Sequence, residues 1–94
     1  IPTIAQEKST NEILMMAYSN KNSIEMTVKT KKAHFWSRSK KKLWLKGETS
    51  GNKLNITNIY TDCDSDALIY EVELEGIGAC HTGKKSCFYK KLEL

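Results

Sequence analysis

Proline and arginine are nearly missing from this chain: Pro2 is its only proline and Arg38 its only arginine. With no Pro-rich stretch, internal repeat or low-complexity segment to divide them, the 94 residues are expected to form one domain, 1–94. No apolar run approaches the roughly 20 residues of a membrane-spanning helix, so no membrane partner is expected. The opening Ile1-Pro2-Thr3-Ile4 lacks the charged-then-apolar order of a secretion signal. There are three cysteines, an odd number that cannot all pair within one chain, and with no signal a reducing compartment is expected. Excess charge is also small. Fifteen Lys and Arg against eleven Asp and Glu leave +4, which suits an anionic ligand but falls short of the charge typical of nucleic-acid binding. A chain this short buries only about two-thirds of its unfolded surface, so a metal or a partner subunit would add needed stability.

What is present reads as alternating short strands and turns. Ile1 to Gln6 and Ile13 to Tyr18 have strand composition, and the polar run Glu7–Glu12 between them predicts a hairpin. Asn20 to Thr30 reads as a helix capped by Ser19 or Asn20, with Ile24 and Val28 four apart on its apolar face. Ala33 to Arg38 returns to strand composition, Leu43-Trp44-Leu45 is a short apolar segment, and 47–52 is a loop of small polar residues. Alternation predicts a long strand through Leu54, Ile56, Asn58 and Tyr60, and a second over Ala67 to Leu74. Gly76-Ile77-Gly78 turns the chain, Cys80 to Lys85 is a loop, and Ser86 to Lys90 reads as a last strand. The expected fold is α+β, mostly antiparallel sheet with one short helix.

Three groups of residues carry chemistry. In Asp62-Cys63-Asp64-Ser65-Asp66, an extended backbone would send the three carboxylates to one side and Cys63 and Ser65 to the other. Such crowding calls for a hard cation such as Mg²⁺, or else marks a solvated acidic turn. Cys63, Cys80 and Cys87 lack the tight spacing of a structural zinc finger. They read as buried packing residues or as three ligands that leave one corner of a tetrahedral Zn²⁺ open, the arrangement of a catalytic site. If Cys63 faces away from its Asp neighbours, thiolates and carboxylates hold two different ions, or Cys63 reaches across a subunit interface. His81, beside Cys80, could be a fourth ligand, a general base or a loop residue, and His34 sits in a strand where a structural role is the common outcome. The third group is Ser37-Arg38-Ser39 with Lys46-Gly47-Glu48-Thr49-Ser50-Gly51, whose hydroxyls, cations and glycines can cradle phosphate or form a solvated loop. Lys40-Lys41-Lys42 reads as a solvated face.

Taken in order and spacing, five segments resemble the phosphoribosyl-AMP cyclohydrolases: 34–39 with 43–44, 46–52, 62–67 and 79–89, preceded by the early strand Ile13–Tyr18. The resemblance covers nearly the whole chain. It implies a cytoplasmic homodimer of histidine biosynthesis that uses Zn²⁺ and Mg²⁺. The reaction implied is hydrolysis of the N1–C6 bond in the adenine ring of 1-(5-phosphoribosyl)-AMP, with water activated by zinc. Carried over position by position, Cys63, Cys80 and Cys87 would be the zinc ligands, Cys63 coming from the partner subunit, and Asp62, Asp64 and Asp66 the magnesium ligands. His81, with His34 second, would handle the proton. Trp36, Ser37, Arg38, Ser39, Lys46, Glu48, Thr49, Ser50, Lys84 and Lys85 would bind the small nucleotide and its two phosphates. The family commonly has Gly before the His-Phe strand, where this chain has Lys31-Lys32, so a left-handed helix end would be costlier here. Some members continue into a phosphoribosyl-ATP pyrophosphatase domain, and the expectation here is the cyclohydrolase alone.

Two other classes compete. A zinc-stabilised module could bind single-stranded nucleic acid through its lysines and Phe35, Trp36 and Trp44, but the clustered aspartates would repel a phosphate backbone. A zinc nucleobase deaminase would need H-x-E and Pro-Cys-x-x-Cys, and neither is present. No nucleic-acid partner is therefore expected.

Overall fold

The first two apolar stretches form the hairpin that their composition suggests. In a computed structural model describing residues 1–94, β1 (Pro2–Glu7) and β2 (Ile13–Tyr18) pair antiparallel. A bulge shifts the register between Ala5 and Gln6, so the adjacent residues Leu14 and Met15 are both buried. Helix α1 (Lys21–Thr30) comes next. Asn20 caps it: its side chain accepts the Ser23 N–H at 2.9 Å, and Ser23 Oγ accepts the Asn20 N–H at 2.8 Å. At the other end Lys31 takes the left-handed conformation (φ 61, ψ 21) and donates its N–H to Thr27 O, so lysine bears the strain that glycine would relieve.

Strands β3 (His34–Ser37) and β4 (Lys42–Leu45) make a two-stranded antiparallel sheet. Strands β5 (Lys53–Thr61) and β6 (Leu68–Glu75) form a long hairpin, and the four-stranded sheet has the order β2-β1-β6-β5. Its central pair, β1 with β6, is parallel, with Thr3 opposite Leu68 and Glu7 opposite Val72. The sheet is therefore mixed, although its other pairings are antiparallel. Thr3, Ala5, Leu54, Tyr70 and Val72 are buried on its inner face, where Ala33 and Phe35 join the core. Phe35 stacks on Tyr70 at 5.5 Å and on Trp44 at 5.1 Å. The helix is too short to cross a membrane, and no other helix is present.

Three sequence expectations need correction. The buried face of α1 is Ser23 and Thr27, while Val28 is 52% exposed and Ile24 only partly covered. Small hydroxyl residues win this face because α1 lies against Tyr70, whose phenol reaches Thr27 Oγ1 at 3.4 Å. In β5 a bulge at Thr57 resets the alternation, so Ile59 pairs with core Tyr70 and Tyr60 faces outward opposite Ile69. Finally, Ser86 to Lys90 does not form a strand. Gly78 lies so close to Lys84 and Lys85 that an added Cβ would meet Lys84 O at 2.5 Å, and the chain folds back through Ala79 N–H to Lys85 O. Beyond Lys85 the chain bonds β2 through one backbone bond, Cys87 N–H to Leu14 O, and one side-chain bond, Ser86 Oγ–H to Ile13 O, which do not make a ladder.

That returning loop is tied down by charge. Lys85 Nζ sits 2.6 Å from Glu7 Oε1 and 3.2 Å from Glu12 Oε1. The Lys85 ammonium, and then the Thr10 hydroxyl, hold the Glu7 carboxyl below the ordinary carboxylate range. Its stabilisation is therefore fully present above about pH 4.3 and lost as the pH falls through the depressed Glu7 value. Glu7→Gln is expected to unfold at lower urea than the parent at neutral pH, the two midpoints converging in acid; curves that stay parallel would remove this role. Lys31→Gly is expected to raise stability by about 1 kcal/mol, and a urea midpoint that is unchanged or lower would show that Lys31 is not strained.

Candidate functional site

The β5–β6 connection brings the aspartates together, though not through extended backbone. Residues 62–66 form a turn in which Ser65 has φ 58, Ser65 N–H reaches Asp62 O at 3.1 Å, and Asp62 Oδ1 accepts the N–H groups of Asp66 (2.9 Å) and Ala67 (3.1 Å). The alternation expected of these residues therefore fails in its premise. Convergence survives, because carboxylate oxygens of Asp62, Asp64 and Asp66 all lie within 4.8 Å of one another. All three are exposed. The Asp66 carboxyl is pushed up by Asp62 and then Asp64, while Asp62 is held down by its hydrogen bonds from Asp66. Hard oxygen donors so gathered suit a divalent cation such as Mg²⁺.

The thiols divide into a pair and a single. Cys80 is buried at the end of the Gly78 turn, with its Sγ 2.9 Å from Thr82 Oγ1. Thr82 lowers the Cys80 pKa most, with smaller contributions from Cys87 and Lys46; burial, then Cys80, raises that of Cys87. Both cysteines line one cavity. Cys63 is exposed at the far end of the β5–β6 hairpin. Cys87 instead hangs from Leu14 on the opposite edge strand of the sheet, β2, and neighbouring strands are about 4.8 Å apart. Within one chain only the aspartate trio gathers three potential metal ligands.

The histidines occupy different settings. His81 is exposed and lines an open cavity of about 450 Å³ with Cys80, Thr82, Cys87, Phe88 and Tyr89. His34 is buried, and its Nδ1 lies 2.9 Å from Lys32 O. A carbonyl only accepts, so Nδ1 carries the proton in this bond, which orients the ring and leaves Nε2 as its acceptor nitrogen.

The proposed phosphate-binding segments meet around a second cavity. Ser37, Lys46, Glu48, Thr49 and Ser50 line a polar space of about 430 Å³, with Trp44 at its wall. Gly47 (φ 86) shapes the loop, since an added Cβ would lie 2.5 Å from Asn52 backbone. A neighbouring recess holds Trp36, Arg38 and Ser39 and shares Ser37 and Trp44. Lys46 links this region to the thiol pair through its charge at Cys80. Lys84 lies 5.6 Å over the Tyr89 ring, whereas Lys85 is engaged by Glu7 and Glu12. Sequence reasoning missed Lys40 and Lys42, read only as a solvated face, which also line the larger cavity. It also missed Tyr18, whose ring lies 3.8 Å beneath the Arg38 guanidinium. Nothing in a strand residue twenty positions upstream signals that contact. Of the three aromatics weighed for single-stranded nucleic acid, Phe35 is wholly buried with Trp44 packed on it and has no free face.

Comparison with known proteins supplies the family. The family model of phosphoribosyl-AMP cyclohydrolase matches residues 15–89. A phosphoribosyl-AMP cyclohydrolase of Archaeoglobus fulgidus is 58% identical over 93 residues, covering 99% of this chain and 85% of the relative. One of Nitrosopumilus maritimus is 53% identical, with the same coverage of 99% and 85%. A histidine biosynthesis bifunctional protein of Wolinella succinogenes is 49% identical across the whole chain, which spans 41% of it. The match runs through the turn of aspartates, the thiol pair and the polar cavity alike, and the chain belongs to the phosphoribosyl-AMP cyclohydrolase family.

Proposed function

We propose that this chain hydrolyses the N1–C6 bond of the adenine ring of 1-(5-phosphoribosyl)-AMP, giving phosphoribosyl formimino aminoimidazole carboxamide ribonucleotide in histidine biosynthesis. The observation that carries the reading is family membership, joined to the cavity that holds Cys80, Cys87 and His81. In the reaction the oxygen of water joins C6. One of its protons ends on N1 as the C6–N1 bond breaks, and the other on the exocyclic nitrogen.

The donor sets fit the two metals the family implies. Cys80 and Cys87 supply adjacent soft donors for Zn²⁺, and Cys63 of a partner subunit completes the set. Asp62, Asp64 and Asp66 supply hard donors for Mg²⁺. When bound, zinc supplies a Lewis acid that makes water a nucleophile near neutral pH. His81, exposed beside the thiols, receives a proton from the attacking water and returns it to N1 as that nitrogen leaves. His34, its Nδ1 held by Lys32 O, is the second choice for that proton. Arg38 offers a planar fork to one phosphate, with Ser37 and Ser39 beside it. Lys46, Thr49 and Ser50 line the space for the rest, and Glu48 can accept from ribose hydroxyls; exposed Lys84 adds positive charge from the thiol loop. Trp36 offers a ring face at the recess. The enzyme acts as a cytoplasmic homodimer.

Ultraviolet monitoring of ring opening tests the reaction directly: turnover is expected, and it should vanish with a chelator and return with added Zn²⁺. A preparation that binds the nucleotide but never opens the ring would overturn the reading. Shared ligation has its own test. Cys63→Ser and the double variant Cys80→Ser/Cys87→Ser are each expected to be inactive, yet after subunit mixing they should recover about a quarter of parental activity through random pairing; no recovery would place all three thiols in one chain or outside the reaction. Asp64→Asn is expected to weaken the Mg²⁺ dependence of turnover while zinc content holds, and an unchanged Mg²⁺ titration would remove the trio from the metal assignment.

A further inference from the structure

We propose that Tyr18 is a positioning residue for phosphate recognition: its ring holds the Arg38 guanidinium by one face, so that the N–H edge of that group stays open to a ribose 5-phosphate of the nucleotide. The inference rests on the reading of Arg38 as a phosphate ligand and names what keeps it in place.

The stack joins two unlike parts of the fold. Tyr18 ends β2, where its backbone pairs with Pro2 of β1. The next residue, Ser19, donates its N–H to Ile1 O at 2.8 Å, and its Oγ lies 3.3 Å from the buried Tyr70 hydroxyl. The half-buried Tyr18 ring thus projects from a fixed backbone. Arg38 instead leaves the exposed turn between β3 and β4, where the Lys40 N–H reaches Ser37 Oγ at 3.2 Å. A long side chain on such a turn samples many rotamers, and ordering it on a ligand costs entropy. Contact with Tyr18 at 3.8 Å removes part of that freedom before the ligand arrives.

The geometry of the contact leaves the donors free. At 3.8 Å the central guanidinium carbon is too near the ring for an N–H bond to stand between them, so the flat face of Arg38 meets Tyr18. Its five donors lie in the guanidinium plane and point away from that face. None is engaged in the chain, where the ion pairs are made by Lys32 and Lys85. A carboxylate would also orient an arginine, but it would occupy the fork and set negative charge where a phosphate must sit. An aromatic face orients the group without doing either. Tyr18 and Arg38 line one recess with Ser37 and Ser39, so the free edge opens beside two hydroxyls. Lysine has neither the flat face nor the fork, which gives a reason for the one arginine among so many lysines to stand here.

Calorimetric titration of the metal-loaded protein with AMP against adenosine, and with ribose 5-phosphate against ribose, reads the phosphate contribution without turnover. The parent is expected to bind a phosphate ester more tightly than its phosphate-free counterpart. Tyr18→Leu should lose roughly two- to fivefold of that preference, the worth of an exposed cation–π contact. Tyr18→Phe should restore it, because the ring and not the hydroxyl makes the contact. In an Arg38→Lys background, Tyr18→Leu should have no further effect. In turnover of 1-(5-phosphoribosyl)-AMP the Tyr18→Leu loss should appear in KM rather than in kcat. A parent indifferent to phosphate, a Tyr18→Leu protein with the full preference, or equal losses for AMP and adenosine would overturn the role, as would a Tyr18→Phe protein as impaired as Tyr18→Leu. The two readings fail separately. A Tyr18-dependent phosphate preference in a protein that never opens the ring removes the hydrolysis and leaves the stack standing, whereas ring opening that Tyr18→Leu leaves unaltered removes the stack alone.

Discussion

A single phenol holds the layers of this molecule together. Tyr70, the third residue of β6, is wholly buried, so its hydroxyl must find partners inside the protein. It lies 3.3 Å from Ser19 Oγ at the end of β2, 3.4 Å from Thr27 Oγ1 on α1 and 3.5 Å from His34 O on β3. Ser19 passes the network on to Thr3 of β1 at 2.7 Å, and Thr27 receives the His34 N–H at 2.9 Å. One hydrogen-bonded cluster thus registers helix, small sheet and large sheet against each other, and every buried side-chain nitrogen and oxygen is satisfied. The cavities beside β3 and β4 are set by that registration, since Trp44 reaches the polar cavity while leaning on Phe35, and Phe35 leans on Tyr70.

Much of the fold was legible in the sequence because local chemistry and tertiary structure agree there. Polar residues between two apolar runs made the first hairpin, Asn20 made the helix start, and Gly76 and Gly78 made the turn after β6. Two of the misreadings come from period counting. Period counting assumes unbroken registers and apolar contacts, and this chain departs from both. A bulge at Thr57 exchanged the faces of Ile59 and Tyr60. The helix buries Ser23 and Thr27 because the surface it meets is a phenol, information that sits forty-three residues away in Tyr70. The parallel pairing of β1 and β6 left no local trace either, as each strand looks the same beside any neighbour.

The candidate site was readable by residue type but not by arrangement. Five segments suffice to suggest the family, and they mark the thiols, the aspartates and the polar loops. Their grouping is a product of the fold. Carboxylates that alternation would align are gathered by a turn instead, Lys85 is spent on Glu7 and Glu12, and Arg38 rests on Tyr18. Lys40 and Lys42 gain a cavity to line only because β3 and β4 pair across them.

The parallel contact at the centre of the sheet also governs when the protein can form. β1 leaves the ribosome well before β6, yet Thr3 waits for Leu68 and Ala5 for Tyr70 before the sheet has its middle pair. Until β6 emerges, the β1–β2 hairpin carries an open strand edge and unburied apolar side chains, the state most exposed to mispairing with another nascent chain. The core therefore closes only once β6 has been made, and a polypeptide cut short ahead of Leu68 has no intermediate fold in which to rest.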